Sequence, residues 1–144
     1  MKRLFQVDRA IDAPATSVWS VMIDVARWPE WTPTVTEVRH LGHPAFGVGS
    51  RVQIRQPRLP RAVWQVTRLE EGRAFTWEST GPGIRSIGHH EVTPTEAGCA
   101  VRLSIEQAGP MGAVAALAWK RLIQRYVETE AACLESRVRQ LHPR

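Results

Sequence analysis

Cysteine is scarce in this chain: Cys99 and Cys133 are its two copies in 144 residues. Their separation fits neither a disulfide framework nor paired zinc ligands, so they read as buried, reduced thiols. Long apolar runs are also missing. No stretch approaches the length of a membrane span, and the start, Met1-Lys2-Arg3-Leu4-Phe5-Gln6-Val7-Asp8, lacks the unbroken apolar core of a secretory signal. A soluble cytoplasmic protein with no membrane insertion is the expectation. There are no internal repeats, low-complexity tracts or linkers, which leaves one domain over residues 1–144.

What is present is a 43% hydrophobic chain with a formal net charge of +5, enough to bury a substantial core. The basic balance raises the question of nucleic acid. Lys and Arg are spread along the whole sequence without a recognition motif, and nucleic-acid binding is set aside on that ground.

The longest uninterrupted pattern is the last one, Pro110 to Leu141. Gly109-Pro110 stops the preceding strand, and after Gly112 neither Gly nor Pro recurs in the segment. Met111, Val114, Ala115, Ala118, Trp119, Leu122, Ile123, Tyr126, Val127, Leu134, Val138 and Leu141 return at helical spacing. Lys120, Arg121, Gln124, Arg125, Glu128, Glu135 and Arg139 take the other side. The first turns are crowded with alanine, Ala113, Ala115, Ala116 and Ala118. Small residues there either seat bulky partners or leave room for a ligand.

Upstream, Phe5, Val7, Arg9 and Ile11 alternate with Leu4, Gln6, Asp8 and Ala10 and predict a strand. Ala13-Pro14 ends it, and Val18, Trp19, Met22 and Val25 predict a short helix. A second short turn follows over 24–33, limited by Pro29 and Pro33. From Thr34 the period becomes two. Strands are expected over 34–40, 50–56, 61–69, 74–80, 84–93 and 99–107, joined by short Gly- and Pro-containing turns that imply antiparallel pairing. An antiparallel sheet and one long amphipathic helix gain most by curling the sheet's apolar face around the helix.

Several pieces then resemble one family: Ala13-Pro14 before Val18-Trp19, Asp24 with Arg27-Trp28-Pro29-Glu30-Trp31, Gly47-Val48-Gly49-Ser50, Trp64-Gln65-Val66, and Phe75-Thr76-Trp77-Glu78. Together they look like the polyketide cyclase/dehydrase group of the START-like (SRPBCC, Bet v 1-like) superfamily. The resemblance implies an α+β helix-grip fold. In it a seven-stranded antiparallel sheet wraps a long C-terminal helix, two short helices lie between strands 1 and 2, and an apolar cavity separates sheet and helix. The superfamily includes lipid carriers, cyclases and aromatases, and chaperone activators, so fold alone does not choose among these functions.

Strand parity points to inward residues. Trp64, Phe75, Trp77, His90, Val101 and Leu103 face the helix, and Ala115, Ala118, Trp119, Leu122 and Tyr126 face the sheet, which makes these the expected ligand-binding set. The aromatic members serve a packed core equally well. His90 is a core-edge histidine, a ligand contact or an acid/base group, and Tyr126 is the other candidate for catalysis. Glu78, Glu91 and Glu106 take the outward parity, leaving no inward carboxylate. His89 and His90 point to opposite faces and so do not share a metal, and no metal or cofactor is expected. His40 and His43 read as solvated, and Trp28 and Trp31 as plugs beneath the small helices.

Strand direction gathers residues 56–61, 80–84 and 107–111 at one end, together with the small helices, as the mouth. Arg55, Arg58, Arg61 and Arg85 form its rim and would suit an amphipathic acid. Three functions follow. The first is binding of a small hydrophobic or amphipathic molecule, such as a lipid or polyketide-like acid. The alternatives are a cyclase, aromatase or dehydrase using the same cavity, and a protein-interaction module of the chaperone-activator kind.

Overall fold

The computed structural model describes residues 3–42 and 45–143, with the side chains of all of these but residues 3, 113 and 116. The expected position of His43, and the alanines at 113 and 116, therefore lie outside the described side chains. Strand β1 (Arg3–Ile11) leads into helix α1 (Ala15–Ile23) and a 3-10 turn, Val25–Glu30. Six strands follow: β2 (Glu37–Leu41), β3 (Arg51–Arg55), β4 (Ala62–Glu70), β5 (Ala74–Gly81), β6 (Ile84–Thr95) and β7 (Gly98–Ala108). Helix α2 (Gly112–Leu141) closes the chain. The seven strands form one antiparallel sheet in the order β1-β7-β6-β5-β4-β3-β2.

Alternation along the strands decides what is inside. Val52 and Ile54, Trp64 and Val66, Phe75 and Trp77, Val92, and Val101 and Leu103 are all buried on the concave face. The convex face carries polar pairs instead: the ion pairs Asp8 with Arg102 at 2.7 Å and Arg85 with Glu78, and a His89–Glu106 hydrogen bond at 3.0 Å. Such surface pairs add little stability. Their value is in keeping that face wet and fixing which side turns to the helix.

Helix α2 lies along β1 and β7 and meets α1 near its C-terminal end, approaching β6 less and leaving the β2–β5 half of the concave face to one side. Its C-terminal half is well seated: Ile123, Val127, Ala131, Leu134 and Val138 are buried at helical spacing. Glu135, expected on the wet side, is buried. It is held at 2.7 Å by Arg9 from the inward parity of β1 and at 2.9 Å by Arg139. The N-terminal part differs. Trp119 has non-helical backbone angles (φ −113°, ψ 17°), and before this kink Met111, Val114 and Leu117 are exposed. Among the described residues no helix is long and apolar enough to cross a membrane.

Register corrects one expectation about the ends of the sheet. Ile11 pairs with Cys99, Thr95 with Gly98 and Glu70 with Ala74, so α1 begins at the end holding the β4–β5 and β6–β7 turns. Residues 56–61, 82–83 and 109–111 gather at the opposite end, where the Met111 amide donates to the Gly83 carbonyl at 2.7 Å. Helix α1 follows directly from β1, and β1 points away from that end; the small helices therefore brace the C-terminal end of α2 and do not frame the mouth.

Gly98 is where the α1 end is tightest. It has φ +146°, and a Cβ there would stand 2.4 Å from the Ile11 carbonyl oxygen and 2.8 Å from the Ala13 amide. Gly98→Ala should therefore lose about 2–4 kcal/mol, combining a backbone region reserved for glycine with a clash against backbone that cannot yield. A urea midpoint unchanged from wild type would show that the β1–α1 junction moves freely.

Candidate functional site

Aromatic side chains of the concave face form one cluster. Phe75 on β5 and His90 on β6 are cross-strand partners, and their rings stack at 4.1 Å with 9° between planes. Trp77 meets His90 edge-on at 5.3 Å and Trp64 at 5.6 Å. Trp77 can lean inward because its cross-strand partner is Gly88, where a Cβ would lie 2.8 Å from the indole nitrogen. Trp28, from the 3-10 turn, completes the group at 5.4 Å from Trp77 and 5.5 Å from His90. Its own indole N–H donates to the Met22 carbonyl at 3.1 Å, which fixes the ring over the sheet. Trp28 is thus a wall of the cluster as well as a plug.

His90 is 7% exposed, and among the described residues its Nδ1 makes no hydrogen bond of good geometry. Burial pushes its pKa down to about 3, against a smaller opposing pull from the Phe75 backbone, so the imidazole is neutral. Gln107, next inward after Ile105 on β7, is likewise buried with an unpartnered Oε1. Sequence reasoning passed over it as a strand end, although parity with Val101, Leu103 and Ile105 places it inside. Buried polar atoms normally find a partner, and among the described residues these two, on the same face of the sheet, do not.

The second group lies on the flank of α2. Glu130 Oε1 accepts the Thr34 hydroxyl at 2.9 Å, and Thr34 in turn contacts the Thr32 hydroxyl at 2.8 Å. Both threonines are buried in the segment after the 3-10 turn. Burial lifts the Glu130 carboxyl to about 7, with the Thr34 bond pulling weakly the other way. Tyr126, one turn earlier, donates its hydroxyl to the Pro57 carbonyl and so ties α2 to the β3–β4 loop. Burial raises the Tyr126 and Cys133 pKa values.

Glu130 corrects the expectation that no carboxylate faces inward. The steps Tyr126, Glu130, Leu134 are each four residues and set it on the apolar stripe; its polar identity concealed it. Glu78 and Glu106 do lie on the convex face, paired to Arg85 and His89.

The other expected site residues divide clearly. Val101 and Leu103 are buried beside the cluster, Ala115 is buried, and Leu122 and Tyr126 are half-buried. Ala118 is exposed, and Trp119, at 38% exposure beside the kink, does not pack in the core. Of the four arginines, Arg85 is committed to Glu78 on the convex face, and Arg55 shares that outward parity opposite Glu37. Arg58 (φ +68°) and Arg61 are exposed in the β3–β4 loop without an ion pair among the described residues. His40 is half-buried, edge-on to Phe46 at 6.5 Å, and so is less solvated than expected.

Among the described residues no group of three His, Cys, Asp or Glu side chains is placed to hold a metal. Cys99 is buried and Cys133 half-buried, both as free thiols. Two open surface hollows lie near α1, one bounded by Asp12, Pro14 and Gly98, the other by Arg27, Trp31 and Arg137; neither includes His90 or Glu130.

A curved antiparallel sheet gripping a C-terminal helix, with an aromatic concave face and polar atoms turned inward, defines a Bet v 1-like helix-grip protein. Within that class the chain belongs to the polyketide cyclase/dehydrase and lipid transport family, whose model matches residues 2–139. Comparison with curated protein sequences gives no match. Among solved structures it is similar to TTHA0849 from Thermus thermophilus, with TM-score 0.77 and 18% identity over 97% of this chain and 99% of that one. Norcoclaurine synthase from Thalictrum flavum, in complex with dopamine and hydroxybenzaldehyde, matches with TM-score 0.75 and 15% identity over 100% and 90%. The di-domain ARO/CYC StfQ of the steffimycin biosynthetic pathway matches with TM-score 0.78 and 12% identity, over 94% of this chain and 50% of that one. At these identities the likeness is one of fold.

Proposed function

We propose that the protein binds a small hydrophobic or amphipathic molecule between the concave face of its sheet and α2. The observation that carries this reading is His90 Nδ1, a buried acceptor or donor with no partner among the described residues, set among Phe75, Trp77 and Trp28. Aromatic walls supply apolar contact area and the imidazole orients one polar group. Arg58 and Arg61 at the loop end, without an ion pair among the described residues, favour a ligand whose outer end is acidic. Exposed Met111, Val114 and Leu117 lie beside that same end, where an entering apolar ligand would meet them first.

A cyclase- or dehydrase-type reaction in the same place is the second reading, and Glu130 favours it, because a carboxyl with a pKa of about 7 can hold or accept a proton at neutral pH. Tyr126 is a weaker acid/base candidate since its hydroxyl proton is already given to Pro57.

Native mass spectrometry of freshly purified protein should show an added small-molecule mass that organic extraction removes. His90→Phe should keep the fold, since it replaces an unpartnered polar ring by an apolar one of similar shape, while reducing the bound fraction severalfold. A bound fraction equal to wild type in His90→Phe would remove the imidazole from the site. An unliganded mass combined with no uptake of apolar dyes would count against binding altogether.

A further inference from the structure

From Gln107 to Val127 the chain carries no Asp or Glu but three basic residues, Lys120, Arg121 and Arg125. The start of α2 lies in this stretch. Met111, which caps the helix, and then Val114, Ala118, Arg121 and Arg125 follow one another at steps of three and four residues, so they share one face, and all five are exposed. Leu117 stands beside them at 76% exposure, while Ala115 and Ile123, which point the other way, are buried. The face is therefore apolar over its first turns and cationic over the next ones. Lys120, Arg121 and Arg125 make no ion pair among the described residues. Where this cationic part ends, Tyr126 donates to the Pro57 carbonyl, and the loop so tied adds Arg58, which is also exposed.

We propose that this face of α2 adsorbs to an anionic lipid bilayer, with Met111, Val114 and Leu117 entering the boundary between headgroups and acyl chains and the basic side chains meeting lipid phosphates. Exposed apolar side chains in one contiguous row mark an interaction surface, and charge selects the occupant. A second copy docked face to face would bring together six basic side chains, three from each copy, with no acid from this stretch among them, so self-association here is disfavoured. Side chains that stand out from a single helix enclose no groove for a folded protein partner, whereas a bilayer takes up protruding apolar groups one by one.

The remaining residues fit that orientation. Long Lys and Arg side chains lay their stems along the apolar boundary while their heads stay with the phosphates. Trp119, 38% exposed beside the kink, comes to the headgroup level, where an indole buries its ring and keeps its N–H wet. Among the described residues no helix is long and apolar enough to cross a membrane, so the contact is adsorption, with α2 lying in the plane of the surface. Adsorption of this kind does not require an occupied cleft.

Flotation of the full chain with phosphatidylcholine vesicles containing about 30% phosphatidylglycerol should carry the protein with the lipid, and pure phosphatidylcholine should leave it behind. Raising the salt to about 0.5 M should release it. At about fivefold per basic side chain, Arg121→Ala combined with Arg125→Ala should lower the partition coefficient about twenty-five-fold. Arg51→Ala with Arg73→Ala removes the same charge from exposed positions at the opposite end of the sheet and should change it by no more than about twofold. Leu117→Ser should bind severalfold more weakly yet melt as wild type does, because the residue is exposed. Lipids brominated in the acyl chain should quench tryptophan emission, and Trp119→Phe should remove much of that quenching. Absence of flotation with anionic vesicles, equal losses in the two double variants, or quenching that Trp119→Phe leaves unchanged overturns the proposal. A dimer in sedimentation velocity that Leu117→Ser dissociates would give the face to a second copy and overturn it as well.

Discussion

Phe75→Ala should remove about 3–5 kcal/mol of stability, the range for truncating a well-packed aromatic core residue. Phe75 is fully buried and its ring meets His90 at 4.1 Å, Trp77 at 5.3 Å, Phe46 at 5.4 Å, and Trp19 and Trp28 each at 6.4 Å. These neighbours come from α1, the 3-10 turn, the β2–β3 loop and two strands, so no single element can move to close the gap. Most of the cavity should therefore persist. A domain of ordinary stability retains only a thin margin after such a loss, and the melting temperature should fall by roughly 10 °C or more. The same change uncovers one face of His90, whose pKa should rise from about 3 as water reaches the ring, observable by NMR titration. Phe75→Leu, which keeps much of the volume, should lose clearly less. A loss below about 1 kcal/mol for the alanine variant would mean that the cluster collapses freely and is not the centre of the core.

That cluster was largely legible in the sequence because strand parity is a strict rule: a two-residue period leaves each side chain one of two faces, and Trp64, Phe75, Trp77, His90, Val101 and Leu103 all fell on the concave one. Helix parity is looser. The stripe through Ile123, Val127, Leu134 and Val138 was readable, but the kink at Trp119 turns Ala118 and Trp119 outward, and no Gly or Pro in the segment marks it. Glu130 and Glu135 were hidden for another reason. Hydrophobic periodicity records apolar residues only, so a carboxylate that completes the stripe by bonding Thr34, or by pairing with Arg9, registers as a gap. The rim was overestimated because parity was not applied to Arg55 and Arg85 as it was to the aromatics. Where the small helices lie followed from the direction of β1, a topological fact that residue composition does not carry.

Glu130→Gln should raise stability at pH 8 by up to about 3 kcal/mol, the ceiling set by a carboxyl displaced from its ordinary value of 4.5 to about 7, and by less in so far as solvent reaches the half-buried side chain. The folded protein holds the Glu130 proton more tightly than the unfolded chain, so its contribution is present below 4.5 and is lost as pH rises through about 7. His90 acts in the opposite sense. Its pKa is depressed from 6.5 to about 3, so the unfolded chain binds that proton first and stability is lost as pH falls from 6.5 toward 3. Between about 4.5 and 6.5 the two slopes oppose each other at about 1.4 kcal/mol per pH unit and nearly cancel. Removing either group exposes the other. Urea unfolding of Glu130→Gln should show stability rising from pH 4.5 to 6.5, and His90→Phe should show it falling, where wild type is nearly level. Parallel profiles for the three proteins would mean that neither group is held in the protonation state its burial dictates. Both residues cost stability near neutral pH or below it, one as a proton kept on a carboxyl facing the interior and one as an imidazole atom without a partner among the described residues. Apolar replacements of similar size would pack the same space more stably, and contacts to the proposed ligand are what would offset that cost.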